Sequence, residues 1–242
     1  MDLSDYLTAL DRDGRAFLAS CAAAPADAVI AACPDWRTAD LLWHLTEVHA
    51  FWRSVVEQRA THWDQVVEPV RPADDAVLAE MFRRGLGALV TTLATVEPTT
   101  EIWTWSAQQD AAFGIRRMAQ ETAMHRWDAD NAVGEAAAIE ASLASDGIDE
   151  FLTHFVHNRD EDAQLDGSVH LHCTDVPGEW TTRTNEDGHL VTVAEHAKGD
   201  CALRGPADVL LRALWRRAAI ADVDVVGDAA IAAQFLAYAR LE

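Results

Sequence analysis

Apolar positions recur at intervals of three and four residues through most of the first 160 positions and at every second residue in the stretch that follows. From Ser4 to about Ala22, Tyr6, Leu7, Leu10, Phe17 and Leu18 predict a first helix that Asp2 or Ser4 can cap. After Pro34, the residues Leu41, Leu42, Leu45, Val48, Phe51, Trp52 and Val55 draw a wide apolar face over Ala39 to Arg59, with Thr38 as the expected N-cap. Arg71-Pro72-Ala73-Asp74 opens a third helix, which Val77, Leu78, Met81, Phe82, Leu86, Leu89, Val90 and Leu93 carry toward Pro98. A loop from Glu97 to Gln109 holds Trp103 and Trp105. A fourth helix follows over about Asp110 to Asn131, and a fifth is expected over about Ile148 to Asn158. Helices of this length with short connections predict an antiparallel bundle of four-helix type over residues 1–160.

The polar run Asp160-Glu161-Asp162 to Gly167 then separates this bundle from a segment of strand period, which places a domain boundary near 160–167 and a second domain over 165–242. Strands are expected over Ser168 to Cys173, Glu179 to Thr184, His189 to Glu195 and Asp200 to Leu203, forming an antiparallel meander. Pro206 suits the first turn of a helix over Ala207 to Arg217, Asp222 to Val226 alternates briefly, and Asp228 caps a last helix ending at Tyr238. The expected fold is therefore α+β overall: a helical bundle followed by a small domain of antiparallel sheet and helices.

Charge narrows the set of partners. With 40 acidic against 19 basic side chains the formal charge is −21, and such a surface repels phosphate backbones and anionic headgroups, so neither nucleic acid nor membrane is expected as a partner. The apolar run from Phe17 to Cys33 is interrupted by Pro25 and Asp27, too soon for a membrane span. Met-Asp-Leu-Ser-Asp at the start lacks the basic stretch of a secretion signal, and Cys21, Cys33, Cys173 and Cys201 form no Cys-x-x-Cys pair. A cytoplasmic protein with free thiols is the expectation.

Glu121 and His125 lie four residues apart on the fourth helix, so their side chains project from one face within reach of one metal ion. Pairs at this spacing also arise on helices that bind nothing. His44 sits in the apolar part of the second helix, where an imidazole needs a partner: a backbone carbonyl in the core, or a metal shared with the fourth helix. Joined, His44, Glu121 and His125 supply two nitrogens and a carboxylate and leave coordination positions open, a set that suits Zn²⁺ and also Ni²⁺ or Fe²⁺. Asp128 is either an orienting carboxylate for this group or an exposed residue at the helix end. His49, about 140° around the helix from His44, is expected on a surface or interface. His154 with His157 is expected on a solvated face, His170 with His172 on the polar side of a half-buried strand, the four cysteines as small buried side chains, and the tryptophans as core or pocket lining.

The stretches Trp36-Arg37-Thr38-Ala39-Asp40-Leu41-Leu42-Trp43-His44-Leu45 and Arg116-Arg117-Met118-Ala119-Gln120-Glu121-Thr122-Ala123-Met124-His125-Arg126-Trp127-Asp128-Ala129 resemble the mycothiol-dependent maleylpyruvate isomerase family among the DinB-like bundles. Gly167 to Trp180, Arg204-Gly205-Pro206-Ala207, Leu214-Trp215-Arg216-Arg217 and Val226-Gly227-Asp228 are similar to that family's sterol-carrier-like C-terminal domain. The resemblance implies a DinB-like bundle holding a divalent metal, usually zinc, on His44, Glu121 and His125. It also implies mycothiol as thiol cofactor and a catalytic role for Arg217. Gln120 stands where relatives commonly have His, and Arg216 where they have a small residue. The implied function is a metal-dependent, mycothiol-using isomerase or S-transferase, monomeric or homodimeric, whose partners are a low-molecular-weight thiol and a small electrophilic substrate. A non-catalytic, metal-containing carrier of a small apolar ligand is the alternative.

Overall fold

In the computed structural model, which describes residues 1–242 except 26, 135, 157–164, 187, 239–240 and 242, Asp2 starts the first helix, α1 (Leu3–Ala23). Its Oδ1 accepts the Asp5 N–H at 3.0 Å, which satisfies one of the donors that a helix start leaves open. The next helix, α2 (Thr38–Gln58), begins at the residue expected to cap it. Arg37 holds the cap position instead, and Asp40 in the first turn reaches back to accept its N–H at 2.9 Å. A short hairpin, β1 (Val29–Ile30) and β2 (Cys33–Arg37), precedes α2, and nothing in its Pro-containing sequence announces alternation. Asp74 caps α3 (Asp75–Thr95) through the Ala76 and Val77 N–H groups, and Asp110 caps α4 (Ala111–Ala132) through that of Phe113.

These four helices form the first compact unit, residues 1–138, in which α1 packs on α3 and α4, and α2 on α3 and α4. The core is built from Leu10 and Phe17 of α1, Leu41 and Leu45 of α2, Phe82 and Leu89 of α3, and Phe113 and Met118 of α4, all fully or nearly fully buried. Phe17 and Phe82 meet with ring centroids 5.1 Å apart. Gly14 permits the close approach of α1 and α3, because a Cβ there would stand 2.7 Å from the Leu86 methyl carbons.

The second unit spans residues 139–242. The fifth helix, α5 (Ala141–Glu150), starts earlier than expected and continues as a π-helical turn over Phe151–Phe155. It buries Leu143, Ala144 and Ile148 and packs on α6 (Ala207–Leu214), so it belongs with the sheet domain rather than with the bundle. The expected end of this helix at Asn158 and much of the expected boundary at 160–167 lie outside the described residues.

The sheet has the order β5-β4-β3-β6-β7. β3 (Ser168–Cys173), β4 (Glu179–Thr184) and β5 (Leu190–Val193) form the expected antiparallel meander. β6 (Cys201–Gly205) departs from it by pairing parallel to β3, with Val169 opposite Cys201. β4 already occupies the other edge of β3, so the returning chain takes the remaining one. β7 (Asp224–Gly227), where a brief alternation was read, is a full antiparallel partner of β6. α7 (Ala229–Tyr238) follows, with Asp228 accepting the Ala230 N–H at 2.8 Å. The chain is thus α+β, a four-helix bundle followed by a mixed sheet with helices. Among the described residues, no helix is long and apolar enough to cross a membrane.

Candidate metal centre

α4 is buried on nearly all sides and yet polar: Arg117, Gln120, Thr122, His125, Arg126, Asp128 and Asp130 are all buried. Buried charge must be paired, and α4 pairs its charges in two groups. Arg126 donates to Asp130 Oδ2 at 2.8 Å and to the carbonyls of Ala137 and Ala138, while Ser20 of α1 donates to Asp130 Oδ1. This group fastens α4 to α1 and to the segment after α4.

The other group faces α2. Glu121 Oε1 stands 3.1 Å from His125 Nε2 and 3.4 Å from His44 Nε2, and one ligand atom from each of the three lies within 4.8 Å of the others. A tetrahedral ion with metal–ligand bonds of about 2.0–2.1 Å spaces its ligand atoms about 3.3 Å apart, so these separations fit one ion held at three corners. The sequence-predicted trio is therefore assembled from two helices. The His44 and His125 rings meet edge to face at 4.9 Å, and Trp36 rests against His44 at 5.0 Å.

Two further residues hold these side chains in place. Asp128 is 2% exposed, and its Oδ2 lies 3.0 Å from His125 Nδ1. It is the orienting carboxylate and not the exposed helix end: bonded at Nδ1, the ring presents Nε2 to Glu121. Arg117 donates to Glu121 Oε2 at 3.0 Å, which leaves Oε1 to the histidines. Arg117 carried no signal beyond standing one turn before Glu121. Burial alone would neutralise Glu121, but the charge of His125, hydrogen bonds from His125 and His44, and the charge of Arg117 outweigh it and hold the carboxyl well below its usual range. Burial likewise opposes charge on His125, and Glu121 with Asp128 overcomes it, raising the imidazole to about 9.

His49 departs from expectation. It is 1% exposed, stacks on Phe82 at 5.3 Å and bonds Thr122 Oγ1 through Nε2 at 2.8 Å, so it is an interior residue of the bundle. Burial pushes its pKa down to about 3, which keeps the ring neutral. Trp105 is 44% exposed instead of core, and His157 lies outside the described residues. Arg217 follows α6 in the second unit, where its N–H bonds the Arg212 carbonyl at 2.7 Å and its guanidinium the Trp215 carbonyl at 2.9 Å. Arg216 before it has φ of 59°, the left-handed conformation that closes a helix and that suits a small residue better. A groove of about 750 Å³ between α2 and α3 is lined by none of the trio.

Burial raises the thiols of Cys21 to about 12 and of Cys173 and Cys201 to about 11. In a Cys33→Ser protein, native-state alkylation by iodoacetamide at pH 8 is expected to run roughly a hundredfold slower than for an exposed thiol, since only the thiolate reacts. A fast-reacting native cysteine would contradict this burial of the thiols.

The chain matches the family model for the mycothiol maleylpyruvate isomerase N-terminal domain over residues 7–130 and that for the MDMPI C-terminal domain over residues 142–234. Among solved structures, the crystal structures of a mycothiol-dependent maleylpyruvate isomerase and of its histidine-to-alanine mutant each match with a TM-score of 0.62 and 10% identity, covering 93% of this chain and 93% of theirs. At that identity the likeness is one of fold. No curated protein matches the chain.

Proposed function

This chain belongs to the mycothiol maleylpyruvate isomerase family, and on that premise we propose that it is a divalent-metal-dependent, mycothiol-using enzyme of isomerase or S-transferase type that acts on a small electrophile. The observation that carries the proposal is the convergence of His44, Glu121 and His125, with Asp128 behind His125 and Arg117 behind Glu121. Two imidazole nitrogens and one carboxylate suit Zn²⁺, and Ni²⁺ or Fe²⁺ share the preference. Bound there, a divalent cation supplies positive charge and open positions that favour the thiolate form of a coordinated thiol. Mycothiol supplies a nucleophile whose addition to a double bond and later elimination isomerise it, and whose retention yields an S-conjugate.

The protein's own contribution is positional. Asp128 fixes the ring of His125 by accepting a hydrogen bond from its Nδ1–H, and Arg117 fixes one oxygen of Glu121. For Arg217 the support is the Leu-Trp-x-Arg motif, from which we assign it as the cation acting on the substrate.

The test is conversion of maleylpyruvate and a panel of unsaturated dicarbonyls by zinc-loaded protein with mycothiol, following both isomer and S-conjugate. Turnover that needs metal and mycothiol and is lost in His44→Ala supports the reading. Stoichiometric metal with no turnover, and an apolar ligand retained through purification, would replace it with the carrier alternative. Asp128→Ala is expected to weaken Zn²⁺ binding by about 10–100-fold, the usual cost of losing a carboxylate behind a ligating histidine; chelator competition measures this.

A further inference from the structure

The second unit carries a separate convergence of metal-type donors, none of which the proposed reaction uses. Strand alternation puts His170 and His172 on one face of β3 and Val169, Leu171 and Cys173 on the other. The β3–β4 register sets His172 directly opposite Glu179, which therefore shares that face. His196, in the connection between β5 and β6, closes over the same spot. Glu179 Oε2 lies 3.1 Å from His170 Nε2, Oε1 lies 3.1 Å from His172 Nδ1, and His196 Nδ1 also meets Oε2. One ligand atom from each of the four residues lies within 4.8 Å of all the others.

We propose that His170, His172, Glu179 and His196 form a second site for a divalent cation of the zinc type, tying the β5–β6 connection to the β3–β4 hairpin. Three imidazole nitrogens and a carboxylate oxygen are borderline-soft donors that prefer Zn²⁺, Ni²⁺ or Cu²⁺ over Mg²⁺ or Ca²⁺. The 3.1 Å between His170 Nε2 and Glu179 Oε2 matches the roughly 3.3 Å edge of a tetrahedron around zinc, while His172 Nδ1 stands 3.1 Å from the other carboxylate oxygen and within 4.8 Å of the remaining ligand atoms. Four protein ligands complete that tetrahedron, which distinguishes this site from the three-ligand set on α2 and α4: a closed site is structural, an open one catalytic. Side-chain exposure rises from 8% at His170 through 27% at His172 and 31% at Glu179 to 77% at His196, so the site has a buried floor and opens to solvent on the His196 side, where an ion can enter. Arg204, opposite His172 on β6, is the nearest cation in register, and it is engaged with Asp224 at 3.3 Å. The same four groups in a metal-free protein are joined by hydrogen bonds alone, and that is the competing description.

The experiment is Zn²⁺ titration of the chelator-stripped 242-residue chain, its stoichiometry read by isothermal calorimetry and its melting temperature followed alongside. Wild type is expected to bind two equivalents and His44→Ala one. In the His44→Ala protein, adding His172→Gln and His196→Gln should remove the remaining equivalent and the rise in melting temperature that accompanies it. Both added substitutions are at partly or fully exposed side chains, so circular dichroism should show the fold retained. A folded His44→Ala protein that binds no zinc overturns the proposal, as does one whose remaining equivalent survives loss of His172 and His196. If wild type binds one equivalent that His44→Ala keeps and the His172/His196 variant loses, this site stands and the trio on α2 and α4 fails.

Discussion

His44→Ala is expected to abolish tight metal binding at the bundle site while leaving the bundle nearly as stable as before. The side chain is 30% exposed and among the described residues its polar contact is with Glu121 at 3.4 Å, so deletion opens no sealed cavity. A loss of about 1 kcal/mol, or roughly 2–4 °C in melting temperature for a chain of this size, is the scale for such a position. The effect on the ion is much larger. Losing a residue behind a ligand already costs 10–100-fold in affinity, and losing one of three ligands should cost more than about a hundredfold. His125→Ala should show the same metal loss with a greater loss of stability, because it also removes the buried bond to Asp128, a change of about 1–3 kcal/mol. Chelator competition beside thermal melts separates the two effects. Undiminished zinc affinity in folded His44→Ala would remove this residue from the site.

Acid should destabilise the metal-free protein through His49. In the unfolded chain this ring takes up a proton near pH 6.5, whereas burial in the bundle lowers its pKa to about 3. Between those values the unfolded state binds more protons than the folded one, so stability falls as pH falls from about 6.5 toward 3. At 1.36 kcal/mol for each tenfold change in proton affinity, the full loss is of the order of 5 kcal/mol, and about 2 kcal/mol of it is already lost by pH 5. Glu121, His125 and His44 are the charged and titratable groups acting on the ring. Urea unfolding with chelator present, at pH 7 and pH 5, should therefore show a smaller acid loss in His49→Gln than in wild type. Equal slopes in the two proteins would contradict the buried, neutral state of His49.

His49 also shows where the sequence stops being legible. A position 140° around the helix from His44 reads as the outer face only if a helix has one inner face. α2 has two, because α3 and α4 both pack on it, and His49 is enclosed by Phe82 of one and Thr122 of the other. The trio was legible for a different reason: four-residue spacing on α4 and a polar residue in an apolar stripe on α2 are local patterns that survive whatever the tertiary contacts. Arg117 was not, since on a helix buried all round every residue faces something and periodicity no longer separates inside from outside. α5 starts with Ala-Ser-Leu-Ala-Ser, small residues that give little periodic signal but fit closely against α6. The parallel pairing of β6 with β3 was equally hidden, because strand period tells which face a residue takes and not which neighbour the strand will find.

The order in which the bundle helices meet along the chain bears on how fast the molecule forms and comes apart. α2 and α3 are close in sequence and can pair early, but α4 has its broadest contact with α1, and the span between them includes both other helices. Closing that span costs more chain entropy than closing the α2–α3 connection, so docking of α4 belongs late in folding. The ligand set is split between α2 and α4 and exists only after that step. An ion held there therefore acts mainly on the escape rate, slowing unfolding while leaving the rate of folding almost unchanged.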